Sequence, residues 1–259
     1  MTSLPFFQVD AFAIAPLTGN PAAVMPLERW LDDGQMQAIA AENNLSETAF
    51  TVPSARPGAD YDLRWFTPTT EVDLCGHASL AAGHILVTGQ PVRFATRSGI
   101  LTVTRAGDLL ELNVPAFAAR PADLLGLHDA LGVSGPTFLH DGGSASAIVL
   151  LDDEAAVRAV RPDFPKLRAI DRLVIVTAPG DEHDVASRVF AAYHGIDEDL
   201  VTGAAHAALV PFWAQRLGRD RFTALQASKR SGLLHCRMEG DRVVLGGRCR
   251  TVIAGQFQL

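Results

Sequence analysis

The stretch Trp65-Phe-Thr-Pro-Thr-Thr-Glu-Val-Asp-Leu-Cys75-Gly-His77-Ala-Ser-Leu-Ala-Ala-Gly-His84-Ile-Leu86 decides how the chain is read. Its pattern is a strand running from Tyr61 to Phe66, a turn containing Pro68, and a helix beginning near Gly76. That helix is apolar or small nearly all round: Ala78, Ser79, Leu80, Ala81, Ala82, Gly83, Ile85 and Leu86. A surface helix carries a charged face, so a helix without one is expected inside a core. Its first turn, Cys75-Gly76-His77, offers backbone N–H groups and the positive end of the helix dipole to a polar loop. A helix end of this kind suits an anion.

The same construction recurs in Val201-Thr-Gly-Ala-Ala-His-Ala-Ala-Leu-Val-Pro-Phe-Trp213, again small and apolar, again opening on a glycine after an acidic turn. A matching hairpin follows each helix. Arg97-Ser98-Gly99 returns as Arg230-Ser231-Gly232, and Gly107-Asp108 as Gly240-Asp241. Both pairs stand 133 positions apart (232 − 99 and 240 − 107). Upstream, Asn20-Pro-Ala-Ala-Val-Met echoes Ser144-Ala-Ser-Ala-Ile-Val. Shared order and spacing predict a tandem duplication.

At 259 residues and 48% hydrophobic, the chain can bury two cores. A net charge of −7 with no basic run argues against a nucleic-acid partner. Cys75, Cys236 and Cys249 are odd in number and far apart, which fits a reducing compartment better than a disulfide framework. No signal segment and no apolar run of membrane-spanning length is seen, so a cytoplasmic protein without a membrane partner is expected.

In chain order, strands are expected over residues 6–13 and 22–25, then a helix capped by Asp32 or Asp33 and ending at Asn43-Asn44. Further strands are expected around 45–52, 61–66, 94–96, 100–105 and 109–114. An Ala/Pro-rich change of texture near residues 115–121 places the domain crossing. The N-terminal domain is therefore 1–118, with the closing strand 250–259 returning to it, and the C-terminal domain is 119–249. In that second half, strands are expected around 136–140, 145–151 and 172–177, with a helix near Asp153–Val160. Residues 184–190 fit helix or strand equally by periodicity.

Several side chains invite chemistry. Glu47 stands among uncharged neighbours at a strand entrance, either as a surface carboxylate or, if partly buried with a raised pKa, as a proton carrier. Ser46 caps a turn or meets a ligand. His77 is a packed histidine or a proton relay, whereas His84 and His206 read as packing residues. Cys75, at a helix N-terminus, is a candidate for a lowered pKa. Its counterpart in the repeat, Leu200 or Thr202 depending on register, is no thiol, which disfavours two-thiol catalysis. Asp197 and Glu198 read as helix caps, and Asp199 is the acid placed to point inward. Cys75-Gly76-His77 is too short a pair to suggest a metal, and neither a phosphate loop nor a Gly-x-Gly-x-x-Gly follows a strand. No metal and no cofactor is expected.

Gly19-Asn20-Pro21, Asn44-Leu-Ser46-Glu47-Thr-Ala-Phe50, Arg64-Trp-Phe-Thr-Pro68, Glu71-Val-Asp-Leu-Cys-Gly-His77-Ala78 and Val201-Thr-Gly-Ala-Ala-His206 occur in one order. In these motifs the chain resembles the PhzF-like phenazine-biosynthesis family, related to diaminopimelate epimerase. The resemblance spans essentially the whole sequence. It implies an α+β fold of two pseudosymmetric domains, each a curled, mostly antiparallel sheet around a central buried helix, with the active site in the cleft between them. It also implies a cofactor-free isomerase, commonly a homodimer.

Matched motif by motif, Glu47, His77 and Asp199 take the catalytic positions. Asn20, Ser46, Gly76, Thr202, Gly203 and Ala204 take those near the substrate. Leu200 stands where the family usually has Pro, Ala204 where Ser is common, and Ser231 where Gly is common, which leaves the substrate open. The expected function is cofactor-independent isomerisation of a small carboxylated metabolite, Glu47 moving a proton between carbons. An amino-acid epimerase or racemase and a non-catalytic carboxylate-binding protein are the alternatives.

Overall fold

The computed structural model describes residues 2–142 and 145–259, arranged as two compact units. The first comprises Met1–Asn113 with Gly246–Leu259, and the second Val114–Leu245. Ser144, the counterpart of Asn20 in the sequence echo, lies outside the described residues.

The first unit runs β1 (Ser3–Ala11), β2 (Asn20–Pro26), α1 (Asp33–Asn43), β3 (Glu47–Pro53), β4 (Tyr61–Phe66), β5 (Glu71–Val72), α2 (Gly76–Leu86), β6 (Val92–Thr96), β7 (Gly99–Ala106) and β8 (Leu109–Pro115). The second runs β9 (Arg120–Pro121), α3 (Leu127–Leu131), β10 (Thr137–His140), β11 (Ser146–Leu150), α4 (Glu154–Ala159), α5 (Phe164–Leu167), β12 (Leu173–Pro179), β13 (Val185–Ala191), a 3-10 turn (Ala192–His194), β14 (Ile196–Asp199), α6 (Gly203–Leu217), β15 (Arg221–Gln226), β16 (Gly232–Glu239) and β17 (Arg242–Gly247). Finally β18 (Cys249–Gln258) lies antiparallel against β1 across its whole length, from Ser3↔Gln258 to Ala11↔Cys249. That strand belongs to the first unit.

The two units repeat one wiring. In the first, β1–β2 is antiparallel, β2–β3 parallel, β3–β4 and β4–β5 antiparallel, β4–β6 parallel and β6–β7 antiparallel. In the second, β10–β11, β11–β12, β12–β13, β13–β14, β13–β15 and β15–β16 follow the same sequence of directions. The register recurs too. Thr48 faces Phe66 across β3–β4, and Val174 faces Phe190 across β12–β13. Gly107 and Gly240 turn their hairpins with nearly equal φ, 62° and 61°. One detail departs from glycine. Ser231 holds φ 56° immediately before β16, a left-handed conformation that costs a residue with a Cβ.

Each unit buries its small-residue helix. In α2 every residue from Gly76 to Gly83 is buried, and in α6 ten of its residues are, Gly203 and Ala205 to Val210 among them. Around α2 pack β1, β2, β3, β7 and β18. Small side chains permit this closeness: a Cβ on Gly83 would overlap the Val103 side chain of β7. A second layer covers the outer sheet faces. Met36, Ile39 and Ala40 of α1 close over Met25, Phe50 and Phe66. In the second unit Leu127, Val157 and Leu167, from α3, α4 and α5, close over Val149, Val176 and Phe190.

Local signals explain the boundaries. Asp32 caps α1 by accepting the Gln35 N–H at 2.9 Å, and Asn44 ends that helix at φ 47°. The ambiguous segment 184–190 is strand β13 from Val185 onward, because antiparallel and parallel partners claim both its edges. Asp197 and Glu198 are not caps. They lie on β14 and pair with Arg168 at 2.6 Å and Arg188 at 2.7 Å, while α6 begins after Thr202 without a side-chain cap.

Gly83→Ala should test the helix packing. Alanine gains about 1 kcal/mol of helix propensity but overpacks against Val103, a cost of about 1–3 kcal/mol. A lower midpoint in guanidinium denaturation is expected, partly restored by adding Val103→Ala.

Candidate active site

In the first unit, two element starts bring the chemistry together. Glu47 is the first residue of β3 and His77 the second of α2. His77 Nε2 lies 3.0 Å from Glu47 Oε2, with the imidazole 4% and the carboxylate side chain 13% exposed. Both atoms are buried, and among the described residues neither has another hydrogen-bond partner. The Glu47 side chain as a whole keeps some exposure to solvent.

Nδ1, the other ring nitrogen of His77, has two neighbours, Asn20 Nδ2 at 3.2 Å and Cys75 Sγ at 3.5 Å. Ser46 Oγ donates to Asn20 Oδ1 at 3.2 Å, which turns the amide N–H₂ toward the ring. The neutral imidazole accepts from Asn20 through Nδ1, and a protonated ring gives its Nδ1–H toward sulfur. Two protonation states thus have two partners. Asn20 itself is set by Gly19, which sits at φ 80° where a Cβ would collide with the Ala11 carbonyl.

Electrostatics follow from this burial. Burial pushes the Cys75 thiol up from 9.0 to about 11, and the Glu47 carboxylate adds to the effect. The expected lowering at the helix N-terminus is therefore overturned: desolvation of sulfur and a nearby anion outweigh the dipole. For His77, burial alone opposes the charge, but the acidic groups of Cys75 and Glu47 outweigh it and hold the imidazole well above 6.5.

Glu47, Cys75 and His77 also place three donor atoms within 4.8 Å of one another. Sequence spacing missed this group because Glu47 arrives from a different element. A metal there would have to displace protons from the thiol and the imidazole, both of which their surroundings hold tightly.

In the second unit Asp199 ends β14 and is buried. Its Oδ1 accepts from the Leu200 N–H at 2.8 Å and its Oδ2 from the Thr202 hydroxyl at 2.6 Å. Gln226 completes the turn, accepting from the Thr202 N–H and donating to the Asp199 carbonyl, both at 2.8 Å. Thr202 and Cys75 are the residues preceding α6 and α2, so the thiol's structural counterpart is a threonine. Gly76, Gly203 and Ala204 form first helical turns with no side-chain cap. His206 is fully buried and gives Nδ1–H to the Thr202 carbonyl at 2.8 Å, and burial pulls its pKa down to about 4. His84, on α2, meets Thr251 at 3.1 Å.

Residues 9–255 match the model of the phenazine biosynthesis-like proteins, PhzC-PhzF. The chain belongs to this family. It is 49% identical to a Pseudomonas aeruginosa protein named an uncharacterized isomerase, over 99% of each chain. The crystal structure of a PhzF-family phenazine biosynthesis protein from Enterococcus faecalis superposes with a TM-score of 0.92 at 42% identity, covering 100% of both chains. A hydroxyproline epimerase from Agrobacterium vitis shares the fold at a TM-score of 0.62 and 15% identity, covering 98% of this chain and 92% of its own. This PhzF-family chain is an isomerase. No helix among its described residues is long and apolar enough to cross a membrane.

The two buried histidines should titrate apart. His77 is expected to keep its imidazolium ¹⁵N signature above pH 6.5, and His206 to stay neutral until about pH 4. The raised group stabilises the fold fully below the unfolded value, fading as pH rises through the folded one. The depressed group costs stability as pH falls from 6.5 toward 4. Removing His206 by His206→Asn should flatten the acid limb of stability against pH.

Proposed function

We propose that the chain isomerises a small carboxylated metabolite without a cofactor, Glu47 taking a proton from one carbon and returning it to another. What supports this reading is the buried 3.0 Å contact of Glu47 with His77, whose two atoms have no other partner among the described residues. A carboxylate held in so buried a place can take the proton from one carbon and is re-ionised when it delivers that proton to the other, with no exchange with bulk water required. The substrate carbon would lie beside Glu47. The uncapped first turn of α2, with Ser46 and Asn20 beside it, is the proposed seat of the substrate carboxylate. Thr202, Gly203 and Ala204 are proposed to serve an anionic group in the second unit, and Asp199 to fix their turn.

A binding-only reading fits this arrangement poorly, since an anion gains nothing from a carboxylate placed at its site. An epimerase working through two thiolates fits no better, with Cys75 held as a thiol and Thr202 as its counterpart. A homodimer is proposed from the family resemblance. Val252 and Ile253, exposed on β18, are the apolar surface a second copy would cover.

Glu47→Gln keeps the side-chain shape and removes basicity. It should lower kcat by about two to four decades with little change in ligand Kd. Asp199→Asn should cost less, acting through the turn before α6. Turnover by Glu47→Gln at the parental rate would sink the assignment.

Cys75→Ser should retain most of the activity, because the thiol acts as a partner for Nδ1 rather than as a base. A loss of about a hundredfold or more would restore the thiol to the chemistry.

A further inference from the structure

The second unit carries an open surface depression of about 290 Å³ whose lining includes Arg158, Arg161, Arg188 and Lys229, against one carboxylate, Glu198. We propose that this depression binds a small phosphate-type polyanion, such as a pyrophosphate or a phosphate monoester. The inference is independent of the proton chemistry assigned to Glu47.

The charge balance carries it. In a chain of net charge −7, four cations converge on one depression. Two are already neutralised. Arg188 grips Glu198 through Nε at 2.7 Å and Nη2 at 2.9 Å, and Arg158 meets Glu154 at 2.6 Å. Among the described residues, Arg161 and Lys229 have no acidic partner. Arg161 spends Nη1 on the carbonyls of Arg158 and Val160, at 2.9 and 3.0 Å, which fixes the guanidinium. Arg188 likewise gives Nη1 to the Val160 carbonyl at 2.8 Å. The guanidiniums are thus anchored by backbone before any ligand arrives, which lowers the cost of ordering them.

Donor geometry selects the ligand class. The cations come from α4, from the segment after it, from β13 and from the loop after β15, so they approach from several directions. A planar carboxylate satisfies one guanidinium fork. A tetrahedral phosphate presents oxygens on several sides and can meet donors from separate elements at once. The depression also adjoins the turn that precedes α6. Ser228, in its lining, donates to the Leu200 carbonyl at 2.6 Å, and Glu198 is the chain neighbour of Asp199. An occupant pulling on Ser228 or Glu198 would bear directly on that turn.

Sodium pyrophosphate is the probe, titrated calorimetrically into the full chain at low ionic strength, with malonate at matched ionic strength as the carboxylate arm. Pyrophosphate should bind with an affinity that falls as salt rises, at least tenfold tighter than malonate. Lys229, which forms no side-chain hydrogen bond or ion pair among the described residues, can be reversed without breaking one, and Lys229→Glu should weaken pyrophosphate at least tenfold, whereas Lys166→Glu, which reverses a lysine elsewhere in the same unit, should not. Arg161→Lys keeps the charge but loses the fork and should weaken binding without changing the fold, as judged by an unchanged melting midpoint. The proposal is overturned by absent pyrophosphate binding, by equal binding of malonate, or by a Lys229→Glu variant that binds like the parent. A Glu47→Gln chain should bind pyrophosphate unchanged, so failure of the catalytic assignment and failure of this one are told apart.

Discussion

The first unit depends on holding a carboxylate and an imidazole together where water is nearly absent. Burial of His77 opposes its charge, and Glu47 at 3.0 Å opposes that penalty. Each group would be poorly tolerated in this place without the other. Their partnership in turn requires β3 and α2 to begin side by side, and α2 can lie so deep only because its buried face is glycine, alanine and serine. Gly83 against Val103 and Glu47 against His77 are therefore linked, since the packing at one end of the helix sets the depth at which the other end operates.

Much of this architecture was legible because it rests on local signals. The buried helices start at Gly76 and Gly203 where small-residue composition places them, the hairpin strands start at Gly99 and Gly232, and Asp32 caps its helix. Where sequence failed, the deciding partner lay elsewhere in the chain. Residues 185–190 became a strand because β12 and β15 supply ladders on both edges. Asp197 and Glu198 resembled caps, yet Arg168 and Arg188, 29 and 10 residues away, claim them as ion pairs. Cys75 looked activated by its helix. Its actual shift is upward, set by desolvation and by a carboxylate from another strand. The short helices α3 and α5 went unread for a related reason, since five and four residues carry too little periodicity to register.

The candidate residues of the first unit are brought together by the fold, from elements far apart in the chain. Asn20, Ser46, Glu47 and His77 form one connected group, which the motifs name and no spacing rule would assemble. Asp199 is engaged with the Leu200 N–H and the Thr202 hydroxyl, a fixed turn in the second unit.

Comparing the two wirings shows where chemistry was placed on a repeated frame. The strand pairings and hairpin glycines recur, but the residues at the helix entrances do not. Cys75 and His77 at the start of α2 correspond to Thr202 and Ala204 at the start of α6, and the β3 position of Glu47 corresponds to Leu173 at the start of β12. One copy therefore carries an acid, a thiol and an imidazole at its helix entrance. The other carries a hydroxyl, a methyl and an isobutyl group there, with its polar groups satisfied by Gln226 and Asp199. A frame with two equivalent entrances and one proton-carrying set is asymmetric in its chemistry. The proton transfer proposed for Glu47 would use this asymmetry, since the second entrance offers no like base to answer the first.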